Sequence, residues 1–170
     1  MESIQIKQAR EGDIPALEGI LGDAVAWLAA MGQPLWRADE VRWEALSRRH
    51  GIGDFFIAYL DGQPAGCMAL VEDDPFFWPD VPKGEALYMH KLAVTAAARK
   101  RGVGDALMDA FKAQGVARGV RTLRLDTHAL RPKLCAFYER HGYVLAETKV
   151  LLGKYHTAFY VHTLVGREER

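Results

Sequence analysis

The amino-acid sequence predicts one α/β (α+β) domain over residues 1–170, with a mixed, mostly antiparallel sheet of about seven strands and about four flanking helices. The length of 170 residues suits a single domain. The 49% hydrophobic and 26% charged residues are typical of a globular chain with a substantial core. Segments in which apolar residues have the spacing of a strand and segments in which they have the spacing of a helix also follow one another along the whole chain.

The first half of the chain predicts one strand, two helices and a hairpin. Ile4 and Ile6 alternate with polar residues, as in a short strand. Apolar residues at helical spacing follow as far as Gly32, and a second helix is predicted over residues 39–50. The runs FFIAYL and PAGCMAL flank Asp61-Gly62, a dipeptide that favours a tight hairpin turn.

The second half predicts a loop, four strands and two helices. Three prolines interrupt residues 72–84, and the apolar run ALYMHKLAV then predicts a buried strand. Helices are expected to begin at Gly102 and Pro132, on either side of the strand TLRLDT. Two closing strands are expected at about 143–151 and 155–165.

Charge is balanced overall and uneven along the chain. The 22 Lys and Arg residues equal the 22 Asp and Glu residues, so no net field favours nucleic acid or membrane partners. Residues 91–141 carry eleven basic and four acidic residues, whereas residues 61–90 carry one basic and six acidic residues. The first stretch suits an anion and the second a cation, although two solvated faces would show the same pattern.

Cys67 and Cys135 are the two cysteines, and they lack the spacing of a disulfide framework or a zinc site. The N-terminus has no signal-like apolar stretch, and no run is long enough to span a membrane. We therefore expect a cytoplasmic protein without a metal.

The segment VTAAARKRGVGDALM carries the strongest chemical signal. A buried strand ends, a basic turn follows, and Gly102 and Gly104 open a helix. The first amides of a helix lack intrahelical acceptors and can donate to phosphate oxygens. The arms of Arg99, Lys100 and Arg101 favour a diphosphate. The alternative is a basic surface turn. The segment matches neither a Walker loop nor GxGxxG.

The run Arg99-Lys100-Arg101-Gly102-Val103-Gly104 resembles the pyrophosphate loop of the GNAT superfamily, the acyl-CoA-dependent N-acyltransferases. LYMHKLAV is similar to the family's central strand, and AFYERHGYV to its later helix-turn-strand segment. The resemblance is strongest over residues 84–145. It implies an acetyl-CoA-dependent N-acetyltransferase whose central sheet is splayed in the middle.

The resemblance also implies a coenzyme site. A bulged strand through Leu92, Ala93 and Val94 would bond the pantetheine arm, and the amide near Leu92 could polarise the thioester carbonyl. The diphosphate would meet the following loop, with these cofactor-binding residues: Arg99, Lys100, Arg101, Gly102, Val103, Gly104 and Asp105.

Two residues are the catalytic candidates. The resemblance implies that Tyr138 protonates the departing thiolate, the alternative being a core aromatic. His90 alternates with Leu92 and Val94 and matches a histidine of some amine acetyltransferases, which makes it the first candidate for the base. A packed core histidine and a water-linked carboxylate are the alternatives.

Other residues are lesser candidates. Glu85 and the acids Glu72, Asp73 and Asp74 are further candidates for the base. The last three could also form an acidic rim that attracts a cationic amine, the alternative being a solvated loop. Aromatic residues could wall the acceptor site: Trp36, Phe77 and Trp78, with Phe76 beside them. Arg131 stands where the family often has asparagine, which places that coenzyme contact in doubt. Cys135 invites a covalent mechanism, which direct transfer does not require.

The expected reaction is direct attack of a primary amine, preferably of a small molecule, on acetyl-CoA through a tetrahedral intermediate. The alternatives are a non-catalytic acyl-CoA-binding regulator or sensor, an enzyme acting on a protein or peptide N-terminus, and a mononucleotide-binding module, disfavoured by its missing motifs. The partners are acetyl-CoA and an amine, with no nucleic acid or membrane. A homodimer is left open.

Overall fold

The computed structural model describes residues 2–164. Seven strands and four α-helices follow in the predicted order. The strands β1–β7 are Ile4–Gln8, Phe55–Leu60, Gln63–Val71, Ala86–Val94, Thr122–His128, Val144–Leu151 and Tyr155–Thr163. The helices α1–α4 are Ile14–Ala30, Trp43–Leu46, Val103–Arg118 and Pro132–Arg140. Among the described residues, no helix is both long and apolar enough to cross a membrane.

The strands form one seven-stranded sheet in the order β1-β2-β3-β4-β5-β7-β6. β4 and β5 are parallel, whereas β1 with β2, β2 with β3, β5 with β7 and β6 with β7 are antiparallel. The parallel register pairs Ala86–Met89 with Thr122–Leu125 and so covers the first four of the nine residues of β4. The predicted fold class, a mixed and mostly antiparallel sheet with four helices, is confirmed.

The chain divides into two compact units. Among residues 2–164, the first unit runs to Leu70 and includes Lys91–Ala110, and the second comprises Val71–His90 and the residues from Phe111 to 164. In the first unit, α1 buries its apolar face against β2 and β3, and the core includes Leu17, Ile20, Leu21, Phe55, Ile57 and Cys67. In the second unit, Trp78, Ala86, Tyr88 and Phe159 form a core cluster.

The turns follow the predicted chemistry. Asp61 and Gly62 have φ values of 49° and 82°, so both central residues of the hairpin turn are left-handed, as the Asp-Gly dipeptide predicts. Gly119 and Gly142 follow α3 and α4 with φ values of 71° and 89°. A left-handed glycine satisfies the last carbonyls of a helix at little steric cost.

The predicted helix over residues 39–50 is wrong in its extent. A 3-10 turn covers Ala38–Val41, Arg42 is extended with a ψ of 150°, and α2 is a single turn. The side chain of Glu18 accepts a hydrogen bond from the Trp43 amide at 3.0 Å. A carboxylate from α1 thus satisfies the first amide of α2 and holds the break in the helix.

Gly66 on β3 permits a close approach within the first unit. A Cβ atom at this position would lie 2.8 Å from Val103 Cγ1 and 2.9 Å from the Ala93 carbonyl oxygen. These two residues belong to the start of α3 and to β4, so Gly66 helps to position the segments that the sequence associates with a coenzyme.

Replacing Gly66 with alanine is expected to lower the free energy of unfolding by about 1–3 kcal/mol, because the new methyl group meets a backbone carbonyl that cannot move aside. Denaturant unfolding measures the change. Gly19→Ala on α1 is the matched control, since its Cβ would meet nothing within 4 Å and alanine favours the helix. Equal stability of the Gly66→Ala variant and the wild-type protein would contradict this packing role.

Candidate functional site

The basic loop before α3 has the backbone of an amide-donor site. Lys100 and Gly102 are left-handed, with φ values of 60° and 85°. The Ala106 amide donates to the Gly102 carbonyl at 3.0 Å, a hydrogen bond of the first helical turn. The amides at the start of a helix in general lack intrahelical acceptors. This geometry suits an anion.

Two of the three basic arms of this loop are engaged by the protein. The Arg99 guanidinium lies 3.6 Å from the centre of the Trp27 ring. Arg101 Nε donates to Glu2 Oε1 at 2.7 Å. A diphosphate that bound Arg101 would therefore have to replace the Glu2 carboxylate. The role of Arg99, Lys100 and Arg101 in coenzyme binding stays a prediction.

A left-handed residue interrupts β4 at the point where the sequence predicts a bulge. Lys91 has a φ of 56°, and its carbonyl accepts the Cys67 thiol at 3.5 Å. Side chains alternate between the two faces of a regular strand, but this alternation does not continue across a left-handed residue. Alternation therefore no longer predicts that His90 projects on the same side as Leu92 and Val94. The coenzyme-binding role of Leu92, Ala93 and Val94 stays a prediction.

His90 lies between two carboxylates of the second unit. Its Nε2 is 2.9 Å from Asp74 Oδ2, and its Nδ1 is 3.9 Å from Asp126 Oδ1. Asp74 is buried, with 8% of its surface exposed, and its carbonyl accepts the Trp78 amide at 2.8 Å. A carboxylate only accepts, so Nε2–H donates to Asp74; in the neutral form of the imidazole Nδ1 is then the acceptor, on the side of Asp126.

The three side chains of this Asp74–His90–Asp126 cluster come from a loop, β4 and β5. The parallel register places Met89 opposite Leu125, and His90 and Asp126 are the next residues along each strand. Of these three residues, the sequence pattern predicted His90 and, as a lesser candidate, Asp74; Asp126 was not predicted. The available signal was a polar residue directly after the apolar part of β4 and of β5. That signal indicates a shared site only when the two strands are known to be paired.

Tyr138 is buried on α4 among aromatic rings. Its neighbours are Phe137, Tyr143 and Tyr160, with ring centres 5.4 to 6.3 Å away. Burial raises the pKa of Tyr138 strongly, and the charge of Asp126 raises it further. The phenol therefore keeps its proton at neutral pH and is a weaker acid than an exposed tyrosine.

Arg131 and Cys135 have structural contacts at the start of α4. The Arg131 carbonyl accepts the Cys135 amide at 3.0 Å, so Arg131 supplies the first helical acceptor where the family often has asparagine. The Cys135 thiol donates to the His128 carbonyl at 3.7 Å. These contacts supply no evidence for a covalent role of the thiol.

The predicted acceptor aromatics differ in their surroundings. Trp36 packs against the core of the first unit, with Lys91 Nζ 5.1 Å from its ring centre. In the second unit Trp78 is 8% exposed and packs edge-on against Phe159 at 5.1 Å, as a core residue does. The Phe77 ring centre lies 6.0 Å from that of His90. Phe77 thus has a ring contact to His90.

Comparison with known proteins identifies the family. The model of the family described as Acetyltransferase (GNAT) family matches residues 23–143, which is more than two thirds of the chain. The chain belongs to the GNAT acetyltransferase family. The match includes the loop before α3, His90 and Tyr138.

Solved structures share the GNAT fold of this chain. A GNAT acetyltransferase from Listeria monocytogenes has a TM-score of 0.77 and 19% identity, with 95% of each chain covered. The ribosomal-protein-S18-alanine N-acetyltransferase from Escherichia coli has a TM-score of 0.70 and 18% identity, with 99% of each chain covered. At these identities the likeness concerns the fold. No curated protein sequence matches the chain significantly.

A third structure contains a coenzyme. The N-acetylglutamate synthase from Neisseria gonorrhoeae, complexed with coenzyme A and N-acetyl-glutamate, has a TM-score of 0.69 and 21% identity. The match covers 96% of this chain and 36% of the synthase chain, so this GNAT protein spans about a third of the length of that relative.

Proposed function

We propose that this GNAT protein transfers the acetyl group of acetyl-CoA to a primary amine of a small molecule, by direct attack through a tetrahedral intermediate. The observation that carries the proposal is the Asp74–His90–Asp126 cluster, in which a buried carboxylate orients an imidazole. A base and an acid are the two groups that such a transfer requires.

Coenzyme binding is assigned to the loop before α3. The amides from Arg101 to Asp105 would donate to the diphosphate, and main-chain groups of Leu92 and Val94 would bond the pantetheine arm. Coenzyme A in the Neisseria gonorrhoeae synthase supports coenzyme A as the cosubstrate of a chain with this fold. The bound coenzyme supplies the thioester, and the protein supplies position and proton transfer.

The base is assigned to His90. A protonated amine gives one proton to Nδ1, and its lone pair then attacks the thioester carbon. Asp74 holds Nε2–H, keeps Nδ1 as the acceptor and stabilises the imidazolium that forms. Two carboxylates beside the imidazole also favour a cationic amine over a neutral one.

The acid is assigned to Tyr138. When the tetrahedral intermediate collapses, the C–S bond breaks and the thiolate takes a proton from the phenol. The second proton of the attacking nitrogen restores the phenol, and the His90 proton passes to water. The products are the amide, coenzyme A and one released proton.

Two alternative functions can be distinguished by experiment from acetyl transfer to a small amine: a non-catalytic regulator or sensor, and an enzyme that acts on a protein or peptide N-terminus. A regulator or sensor would bind acetyl-CoA without releasing free thiol, and the Asp74–His90 pair argues against it because binding alone requires no oriented base. An enzyme acting on a protein or peptide N-terminus would do the same chemistry on a larger acceptor, as the name of the Escherichia coli relative states for that protein.

The proposed reaction is tested by measuring free thiol released from acetyl-CoA across a panel of acceptors. The panel contains alkylamines, amino acids, a weakly basic arylamine and a short peptide with a free N-terminus. We expect release with a small alkylamine or amino acid, little with the arylamine, and the same rate after metal chelation. Thiol release with no acceptor above background would overturn the proposal, and a rate confined to the peptide would favour the protein-directed enzyme.

The Glu2–Arg101 pair predicts opposite effects on coenzyme affinity. Arg101→Ala is expected to weaken coenzyme A binding about tenfold, because a charge-assisted hydrogen bond contributes about 1.5–3 kcal/mol. Glu2→Ala is expected to tighten binding, since it releases the guanidinium for the diphosphate. Isothermal titration calorimetry measures both, with Arg37→Ala as a control. Equal affinities of all these variants and wild type would remove Arg101 from the site.

A cytoplasmic location belongs to the same proposal. Both cysteines are free thiols, Cys67 buried and Cys135 half-buried, which suits a reducing compartment.

A further inference from the structure

The Asp74–His90–Asp126 cluster has the composition of a cation site. One ligand atom from each of the three side chains lies within 4.8 Å of the other two. Among the residues that the structure describes, it is the one group of three such side chains close enough to share a metal ion. Exposed carboxylates often lie together without an ion, but here Asp74 is buried and the other two residues are half-buried.

The distances between the donor atoms are close to those around a single ion. Zn²⁺ binds imidazole nitrogen and carboxylate oxygen at about 2.0–2.2 Å, so two neighbouring ligands of a tetrahedral ion are about 3.3–3.6 Å apart. In the cluster, Nε2 of His90 is 2.9 Å from Asp74 Oδ2, and Nδ1 is 3.9 Å from Asp126 Oδ1. Small side-chain rotations therefore suffice to place one ring nitrogen and one oxygen of each aspartate on the same ion.

Charge also favours a divalent cation. The two carboxylates contribute two negative charges, and a neutral imidazole contributes none. Carboxylates removed from water are stabilised by a compensating positive charge. A divalent cation balances both of them, whereas a proton on His90 or one ammonium group balances only one. The imidazole selects among divalent cations, because it is a good ligand for Zn²⁺ and other transition metals, while Mg²⁺ and Ca²⁺ prefer oxygen ligands alone.

We propose that the Asp74–His90–Asp126 cluster binds one divalent transition-metal cation, with Zn²⁺ as the best fit, and that this cation inhibits the enzyme. The ion takes the lone pair of one ring nitrogen of His90, and the other nitrogen keeps the remaining ring proton. The imidazole then has no lone pair with which to accept a proton from an amine. Binding of the ion is independent of the proposed function, whereas inhibition rests on it. The ion is an inhibitor, so the reaction itself requires no metal.

Calorimetric titration of the chelator-treated protein with Zn²⁺ tests the site without acetyl-CoA. Wild type is expected to bind one Zn²⁺ per chain, and Mg²⁺ at the same concentrations should give no measurable binding. His90→Gln and Asp126→Asn should each weaken Zn²⁺ binding at least about tenfold, since the loss of a group that only supports a ligand already weakens metal binding about 10–100-fold. His156→Ala removes an exposed histidine of β7 and is the matched control, with wild-type affinity expected.

Thermal denaturation separates the loss of a ligand from the loss of the fold. A ligand that binds only the native state raises its thermal midpoint. Zn²⁺ should therefore raise the midpoints of wild type and His156→Ala and leave those of His90→Gln and Asp126→Asn unchanged. Anomalous scattering from zinc in wild-type crystals locates the ion even where a variant does not fold. Wild type that binds no Zn²⁺, variants that bind it as tightly as wild type, or an anomalous peak away from the cluster would overturn the proposal.

Inhibition is measured as the acetylated amine formed, because Zn²⁺ also binds free thiol and would disturb a thiol assay. Zn²⁺ at concentrations near its calorimetric dissociation constant should halve the wild-type rate, and chelation should restore that rate. Full turnover with the cluster occupied by Zn²⁺ would overturn the inhibition. Zn²⁺ bound at the cluster of a protein that acetylates no amine would contradict the proposed function, and with it the inhibition, while the metal site itself would stand.

Discussion

Replacing His90 with alanine is expected to reduce kcat at pH 7 by about 10²–10⁴-fold, because general-base catalysis contributes that much. Asp74→Asn should cause a smaller loss of the same kind, since an amide neither fixes the tautomer of Nε2–H nor stabilises the imidazolium as a carboxylate does. Steady-state thiol release measures both variants. The KM for acetyl-CoA should change little, because neither residue is assigned to coenzyme binding.

Controls separate this role from folding. Asp73→Asn changes an exposed neighbour of Asp74 and should retain wild-type turnover. Raising the pH should recover part of the rate of the His90→Ala variant, since more of the amine is then already neutral. A pH–rate profile of His90→Ala that coincides with that of wild type would exclude His90 and leave a water-linked carboxylate, with Asp126 as the next candidate.

The second large effect is expected for Tyr138→Phe, with kcat reduced by about 10²–10³-fold and coenzyme affinity retained. The variant keeps the ring that packs on Phe137, Tyr143 and Tyr160, so its thermal midpoint should stay close to that of wild type. Single-turnover measurements with excess enzyme test whether the chemical step itself has slowed.

The pH dependence of this acid has a defined sign. Burial raises the pKa of Tyr138, so the phenol keeps its proton above the usual value of about 10 and the wild-type rate should not fall between pH 7 and 10 through loss of this acid. Tyr143→Phe on a neighbouring ring is the control and should retain turnover. Undiminished turnover of Tyr138→Phe across this range would exclude Tyr138 as the acid.

Local sequence signals predicted most of the fold. The Asp61-Gly62 turn depends on left-handed backbone that these residues adopt at low cost, and both residues have positive φ in the structure. The helix over residues 39–50 was predicted too long. Its break depends on Glu18, which is distant in sequence and accepts the Trp43 amide.

The candidate site was predictable in part. The family resemblance of the loop at residues 99–104 led to the same family as the match over residues 23–143. Alternation along β4 proved an unsound reason for choosing His90, because Lys91 interrupts it. The bond to Asp74 and the approach of Asp126 are better reasons, and both require the folded chain.

The sequence by itself determined the order of the elements, the turns and the family, because these depend on neighbouring residues: hydrophobic period, positive-φ turn residues and a glycine-rich basic loop. The tertiary structure alone decided that Asp74 and Asp126 flank His90, that Glu2 holds Arg101, and that β6 is an edge strand. Strand pairing and loop packing bring these groups together from distant parts of the chain, and no local pattern encodes such a contact.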